Sequence, residues 1–93
     1  MPNKEKEIRV EFPKELIGGA YSNNMVVSHT REEFIMDFLM MAPPSGAVVA
    51  RVIVSPGHMK RILNALNENI LKYEEKFGKI QAVEAPGEKI TLQ

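Results

Sequence analysis

Residues Asn23–Gly46, NNMVVSHTREEFIMDFLMMAPPSG, hold the densest run of apolar residues in the chain and decide its fold. Four polar residues, Thr30–Glu33, divide the stretch into two apolar parts. Upstream, residues 20–28 alternate loosely between larger and smaller side chains, which predicts a strand. Downstream, Phe34–Met41 carries apolar residues that fit either one face of a strand or one face of a helix.

The choice between strand and helix for Phe34–Met41 rests on its boundaries. Thr30 with Glu33 matches a helix capping box, and methionine is a helix former, so a helix has some support. The run, however, stops soon at Pro43-Pro44, and the strands on either side of it need a partner between them. We therefore predict a strand.

The next stretch, Ala47–Val54, reads AVVARVIV and is bounded by proline and glycine on both sides. Its β-branched residues predict a strand in which Val48, Ala50, Val52 and Val54 share one face. If it pairs with Phe34–Met41 across a turn, Asp37 and Arg51 lie near each other and form a cross-strand ion pair. We favour this structural role for Asp37 over catalysis, because one carboxylate alone is weak evidence for acid–base chemistry.

A further strand is predicted at residues 7–12, where Ile8, Val10 and Phe12 alternate with charged residues up to Pro13. We therefore expect residues 1–80 to form one α+β domain, a four-stranded antiparallel meander sheet followed by one long helix. Residues 81–93 are expected to form a loosely ordered tail.

The helix is the clearest element in the sequence. Ser55 and Pro56 are typical of an N-cap and a first helical residue, and Gly78 of a residue just after a helix. Apolar residues recur every three or four positions between these signals, and we expect this stripe, with Leu66 at its middle, to face the core. The stripe consists of Met59, Ile62, Leu63, Leu66, Ile70, Tyr73 and Phe77.

Composition narrows the class of protein. The chain has 93 residues, 44 % of them apolar, with twelve basic and twelve acidic residues and no cysteine. A balanced charge argues against a general polyanion binder, and the absence of cysteine excludes disulfides and thiolate sites. The first residues, MPNKEKEIRVEF, contain no apolar leader, and no run is long enough to span a membrane. We expect a cytoplasmic protein that does not bind membranes.

Several short motifs resemble one known family in their order and spacing. The motifs are Tyr21-Ser22-Asn23, Glu33-Phe34 with Asp37-Phe38, Arg51-Val52-Ile53-Val54-Ser55-Pro56 with His58 and Lys60, Asn69-Ile70 with Tyr73-Glu74, and Phe77-Gly78-Lys79-Ile80. They cover about residues 7–80 and resemble the uncharacterised bacterial and archaeal family called domain of unknown function 3467. That resemblance implies a fold and no activity. The expected layout is also similar in topology to the core of the SecB-type export chaperones.

The sequence offers few candidate residues for catalysis, metal binding or phosphate binding. His29 and His58 are the only histidines, and neither belongs to a recognised metal-binding spacing. No glycine-rich phosphate loop occurs, and neither histidine is part of an evident catalytic triad. We therefore predict no catalytic residue, no metal, no cofactor and no enzymatic activity.

Two classes of function remain open. A sheet with one helix leaves one face uncovered, so Met36, Met40 and Met41 are candidate partner-binding residues as well as candidate core residues. This favours a noncatalytic interaction module, expected to be a homodimer, that is chaperone-like or adaptor-like and binds another protein. The alternative is a nucleic-acid-binding adaptor that uses Arg51, Lys60, Arg61 and Lys72. Nucleic acid is the less favoured partner because the helix carries four basic and three acidic residues.

Overall fold

A computed structural model describes residues 6–83 and shows an α+β fold. One turn of 3₁₀ helix, Lys14–Leu16, precedes three strands, β1 (Asn24–His29), β2 (Phe34–Ala42) and β3 (Ser45–Val54). A single α-helix, α1 (Pro56–Phe77), follows them. The strands form one antiparallel sheet in the order β1-β2-β3, so the predicted antiparallel meander and C-terminal helix are confirmed. The predicted tail lies mostly outside these residues, since 84–93 are not described.

The turn between β1 and β2 explains the Thr30–Glu33 motif. The Thr30 hydroxyl accepts hydrogen bonds from the backbone N–H groups of Glu32 and Glu33, at 3.1 and 3.2 Å. The Thr30 N–H donates to the Glu33 carbonyl at 2.9 Å and closes the turn. A motif that matches a helix cap thus forms a hairpin, and the prediction of a strand at Phe34–Met41 is confirmed.

A register shift in β3 changes which residues share a face. Phe38 lies opposite Ala50 and Leu39 lies opposite Val48, so Val49 is left between them without a partner in β2. Such an extra residue is a β-bulge, and it reverses the alternation of the strand beyond it. The prediction that Val48 shares a face with Ala50 is therefore wrong.

The fourth predicted strand is not present. Residues 7–12 belong to no strand, and the sheet in the described part of the chain has three strands rather than four. Ile8, Val10 and Phe12 are 81, 85 and 68 % exposed. Alternation is a necessary feature of a half-buried strand, but a strand forms only where a neighbouring strand supplies hydrogen-bonding partners. Among the other residues of the described range 6–83, none pairs with residues 7–12 in this way.

Two side chains, which precede the first residue of β1, continue the hydrogen bonding between β1 and β2. The Asn23 side-chain amide accepts a hydrogen bond from the Met41 N–H at 2.8 Å and donates to the Met41 carbonyl at 2.9 Å. The Ser22 hydroxyl donates at 2.9 Å to the Leu39 carbonyl, which also accepts from the Asn23 N–H. These side chains therefore take the place of backbone groups and hold the far end of β2.

The predicted boundaries of α1 are confirmed. The Ser55 side chain accepts a hydrogen bond from the His58 N–H at 3.2 Å, and Pro56 is the first helical residue. Gly78 has a φ of 95°, a conformation that favours glycine, and its N–H donates to the Glu74 carbonyl. Both ends of α1 are therefore closed by contacts within the chain itself.

The stripe of α1 does not face a core formed by residues 6–83. No residue of α1 is buried, and the side chains of the stripe from Leu63 to Phe77 remain 46–65 % exposed. The radius of gyration is 17.1 Å, against about 12 Å for a compact chain of this length. Only Ser55 separates β3 from α1, whereas a connection that folds a helix back on its strand usually needs about 2–6 residues. The expectation that Leu66 lies in the core is therefore wrong.

The first testable consequence concerns Asn23. Replacing Asn23 with alanine removes two hydrogen bonds to Met41 and should lower the free energy of unfolding by about 1–2 kcal/mol. Chemical denaturation measures the change. Asn64→Ala is the matched control, because Asn64 is an exposed residue of α1 for which alanine is a better helix former. Equal stability of the two variants would show that the Asn23 contacts do not stabilise the sheet.

Candidate interaction surfaces

The only buried charge among residues 6–83 lies at the centre of the sheet. Asp37 of β2 lies directly opposite Arg51 of β3, and Asp37 is only 2 % exposed. The Arg51 Nε donates to Asp37 Oδ1 at 2.6 Å, and Nη2 donates to Oδ2 at 2.9 Å. The predicted cross-strand ion pair is confirmed, and its two-point geometry fixes the register of β2 against β3.

The ion pair shifts the ionisation of both partners. Hydrogen bonds from the Arg51 guanidinium hold the pKa of the Asp37 carboxyl below its ordinary value, although burial opposes this shift. The positive charge of Arg51 acts in the same direction as the hydrogen bonds. The pKa of Arg51 is raised for the reciprocal reason. A carboxylate held in its ionised form by two hydrogen bonds is a structural anion and is poorly suited to accept a proton at neutral pH.

The Asp37 pKa leads to a prediction about acid stability. A carboxyl whose pKa is lower in the folded state contributes stability above its ordinary pKa of about 4, and this contribution is lost as the pH falls through the folded value. We expect the melting temperature of Asp37→Asn to fall less between pH 7 and pH 2.5 than that of the unmodified protein.

Glu32→Gln is the control for this experiment. Glu32 is an exposed carboxylate of the β1–β2 turn, and its backbone N–H, not its side chain, bonds to Thr30. This variant should retain the full acid sensitivity of the unmodified protein. An acid-induced decrease in melting temperature that is the same in all three proteins would contradict the role of the ion pair.

One face of the sheet is entirely apolar apart from His29 at its edge. The register of the three strands and the alternation of side chains define this surface, which we call the apolar sheet face. His29 contacts Phe34 there, with ring centroids 5.3 Å apart. The opposite face carries the Asp37–Arg51 pair. The apolar sheet face consists of Met25, Val27, Phe34, Met36, Phe38, Met40, Ala47, Ala50, Val52 and Val54.

The three candidate methionines of β2 do not act as one group. Met36 is on the apolar sheet face but is buried at 8 % exposure, which is the behaviour of a core residue. Met40 is on the same face and is exposed. Met41 is on the opposite face by alternation, and its side chain lies against Gly46. Of the three, Met40 is thus the one exposed on the surface that sequence reasoning anticipated.

The candidate nucleic-acid contacts are likewise dispersed. Arg51 is engaged with Asp37 on one face of the sheet. Lys60 and Arg61 are in the first turns of α1, whereas Lys72 is about 18 Å further along the helix axis than Lys60. Twelve residues also rotate Lys72 by about 120° around α1 from Lys60. The structure does not bring these four residues into one basic patch.

The histidines occupy unrelated positions. His29 ends β1, and His58 lies in the first turn of α1, where its Nδ1 is 3.1 Å from Arg61 Nη2. Within residues 6–83, no three side chains of histidine, cysteine or acidic type are grouped so as to hold a metal ion. In the same part of the chain, no helix combines the length and the apolar character needed to cross a membrane.

The second apolar surface is the exposed stripe of α1, which sequence reasoning assigned to the core. Tyr73 and Phe77 contact each other on it, with ring centroids 4.9 Å apart. The sequence does contain a signal for this exposure, because Ser55 alone links β3 to α1. The strands and the helix of the described residues thus each present one apolar surface.

Family comparison agrees with the resemblance seen in the motifs. The chain belongs to the family described as Protein of unknown function (DUF3467), whose profile matches residues 1–82. No curated protein and no solved structure gives a significant match. In this chain, several motif residues make structural contacts: Ser22 and Asn23 bind the backbone of β2, Asp37 pairs with Arg51, and Ser55 caps α1.

Proposed function

We propose that this protein is a noncatalytic interaction module that self-associates, as a homodimer or a larger assembly, and that presents its apolar sheet face to another protein. Its setting is the cytoplasm, and its mode of action is chaperone-like or adaptor-like. The observation that supports the proposal is that residues 6–83 expose one apolar surface on the sheet and a separate one on α1.

The chain exposes more surface than a compact protein of its mass. The chain has an accessible area of 8826 Å², whereas a compact protein of 10.5 kDa exposes about 5,400 Å². Residues of both apolar surfaces contribute to this difference, among them Val52 of the apolar sheet face at 42 % exposure and Leu66 of α1 at 58 %. Large contiguous apolar patches are uncommon on monomeric soluble proteins and are typical of interaction sites.

The apolar sheet face has features suited to a partner of variable shape. Met25 and Met40 are both exposed on it, and flexible thioether side chains adapt to different apolar surfaces. No charged side chain interrupts this face in β1, β2 or β3, because Asp37 and Arg51 lie on the other side. Apolar segments of another polypeptide are therefore the partner class that this surface fits.

Self-association has a direct test. Light scattering at micromolar concentration should give a mass at least twice 10.5 kDa, because burial of apolar surface drives association. The melting temperature should also rise with protein concentration, since association stabilises the folded chain by mass action. A mass near 10.5 kDa and a melting temperature independent of concentration would contradict self-association.

Binding at the apolar sheet face requires a separate experiment. Val52 and Ile53 are adjacent exposed residues of β3 that lie on opposite faces of the sheet. We expect Val52→Asp to reduce the ability of the protein to suppress aggregation of a chemically denatured client protein by about tenfold, because a charge is introduced into the apolar surface.

Ile53→Asp is the matched control for Val52→Asp. It places the same charge in the same strand but on the face that already holds Asp37 and Arg51, so suppression should be retained. Circular dichroism establishes that both variants remain folded. If the unmodified protein does not suppress aggregation, or if both variants lose the activity equally, the sheet face is not the binding surface.

A further inference from the structure

The apolar stripe of α1 contains a stricter pattern than helical amphipathicity requires. Six of its residues are separated by four, three, four, three and four positions, which is a heptad repeat carried through the whole helix. This spacing is typical of a helix that packs along its length against another helix. The six residues are Met59, Leu63, Leu66, Ile70, Tyr73 and Phe77.

We propose, on the basis of the self-association proposed above, that α1 pairs in antiparallel fashion with α1 of a second copy about a two-fold axis near residue 68. The second copy is the fitting occupant because the pattern is complementary to its own reverse. Two-fold pairing places each surface patch against itself, so a self-complementary stripe is what such an interface needs.

Each layer of this helix pair consists of one side chain of the stripe and the side chain opposite it on the partner, and the layers are similar in total size. In the antiparallel register, Met59 lies opposite the partner's Phe77, and Leu63 lies opposite the partner's Tyr73. Leu66 lies opposite the partner's Ile70 at the centre. The two-fold axis repeats each of these layers, so all six residues of the seam are covered. A larger side chain faces a smaller one in the outer layers, which keeps the two helices evenly spaced.

Charge complementarity selects the antiparallel direction. Lys60 and Glu74 lie on the same flank of the seam, two heptads apart, and the two-fold axis brings each beside the opposite charge of the second copy. Between them Asn67 faces the partner's Asn67. In a parallel pair, Lys60 would instead face the partner's Ser55 and Glu74 the partner's Asn69, without any ion pair.

The other flank is compatible with the same register. Ile62 lies opposite the partner's Lys76, whose alkyl stem can cover an apolar side chain. Asn69 faces the partner's Asn69. No like charges are therefore brought together on either flank. The pairing also leaves the two sheets at opposite ends of the helix pair, because each α1 begins directly after its own β3.

Charge reversal tests two parts of the proposal together: that the helices run antiparallel and that the partner is a second copy of the chain. Lys60 and Glu74 are about 21 Å apart along one helix, well beyond the screening length of about 8 Å at physiological salt, so coupling between them must arise between two chains. We expect Lys60→Glu and Glu74→Lys each to weaken dimerisation by about tenfold, measured by sedimentation equilibrium. The double variant Lys60→Glu/Glu74→Lys should return to within about threefold of the unmodified dimer.

Two controls accompany this cycle. The Glu74 carboxylate accepts a hydrogen bond from the Ile80 N–H at 3.0 Å. This bond is lost both in Glu74→Lys and in the double variant, so its effect cancels when the dimer affinities of these two variants are compared. Lys72→Glu makes the same charge change as Lys60→Glu on the outer side of α1 and should leave the dimer affinity unchanged. Circular dichroism at high concentration confirms that each variant retains its helix.

The outcomes separate this inference from the function on which it rests. A dimer in which the double variant is no tighter than either single variant would overturn the helix pairing while leaving self-association in place. An unmodified protein that stays monomeric at micromolar concentration would overturn both. Restoration in the double variant, with no effect of Lys72→Glu, supports the antiparallel pair.

Discussion

The one-residue connection between β3 and α1 is the constraint on which the rest of the structure depends. Ser55 caps the helix as soon as the strand ends, and Pro56 begins α1 with a fixed backbone angle. The helix therefore continues away from the sheet without a loop that would let it fold back. One short link thus separates two amphipathic elements that in most small domains cover each other.

The sheet keeps its register with very little core. Met36 and Leu39 are the buried apolar residues in the described part of the chain, and Asp37 lies between them. Apolar residues alone specify register weakly when both faces of a strand carry them. The two-point contact between Asp37 and Arg51 supplies the missing specification, because displacement by one residue would leave a buried carboxylate without a partner.

The sequence predicted local structure well and longer-range packing poorly, for identifiable reasons. The ends of α1 were predictable because Ser55, Pro56 and Gly78 act through their own backbone, and the Asp37–Arg51 pair was predictable because a short turn fixes which residues meet. The absence of a strand at residues 7–12 was not predictable, because alternation of side chains does not show whether the edge of a sheet is close enough to pair with them. The bulge at Val49 and the backbone-like role of Asn23 depend on a partner strand and have no local signal.

The bulge at Val49 has a consequence for the behaviour of the sheet's outer edge. β3 is an edge strand of ten residues, rich in valine, and a flat edge of this kind is a template on which further strands can add. The unpaired residue bends β3 and divides its edge into two shorter runs with different orientations. A bulge of this kind is one of the features by which natural proteins make an edge strand a poorer template for pairing with another chain.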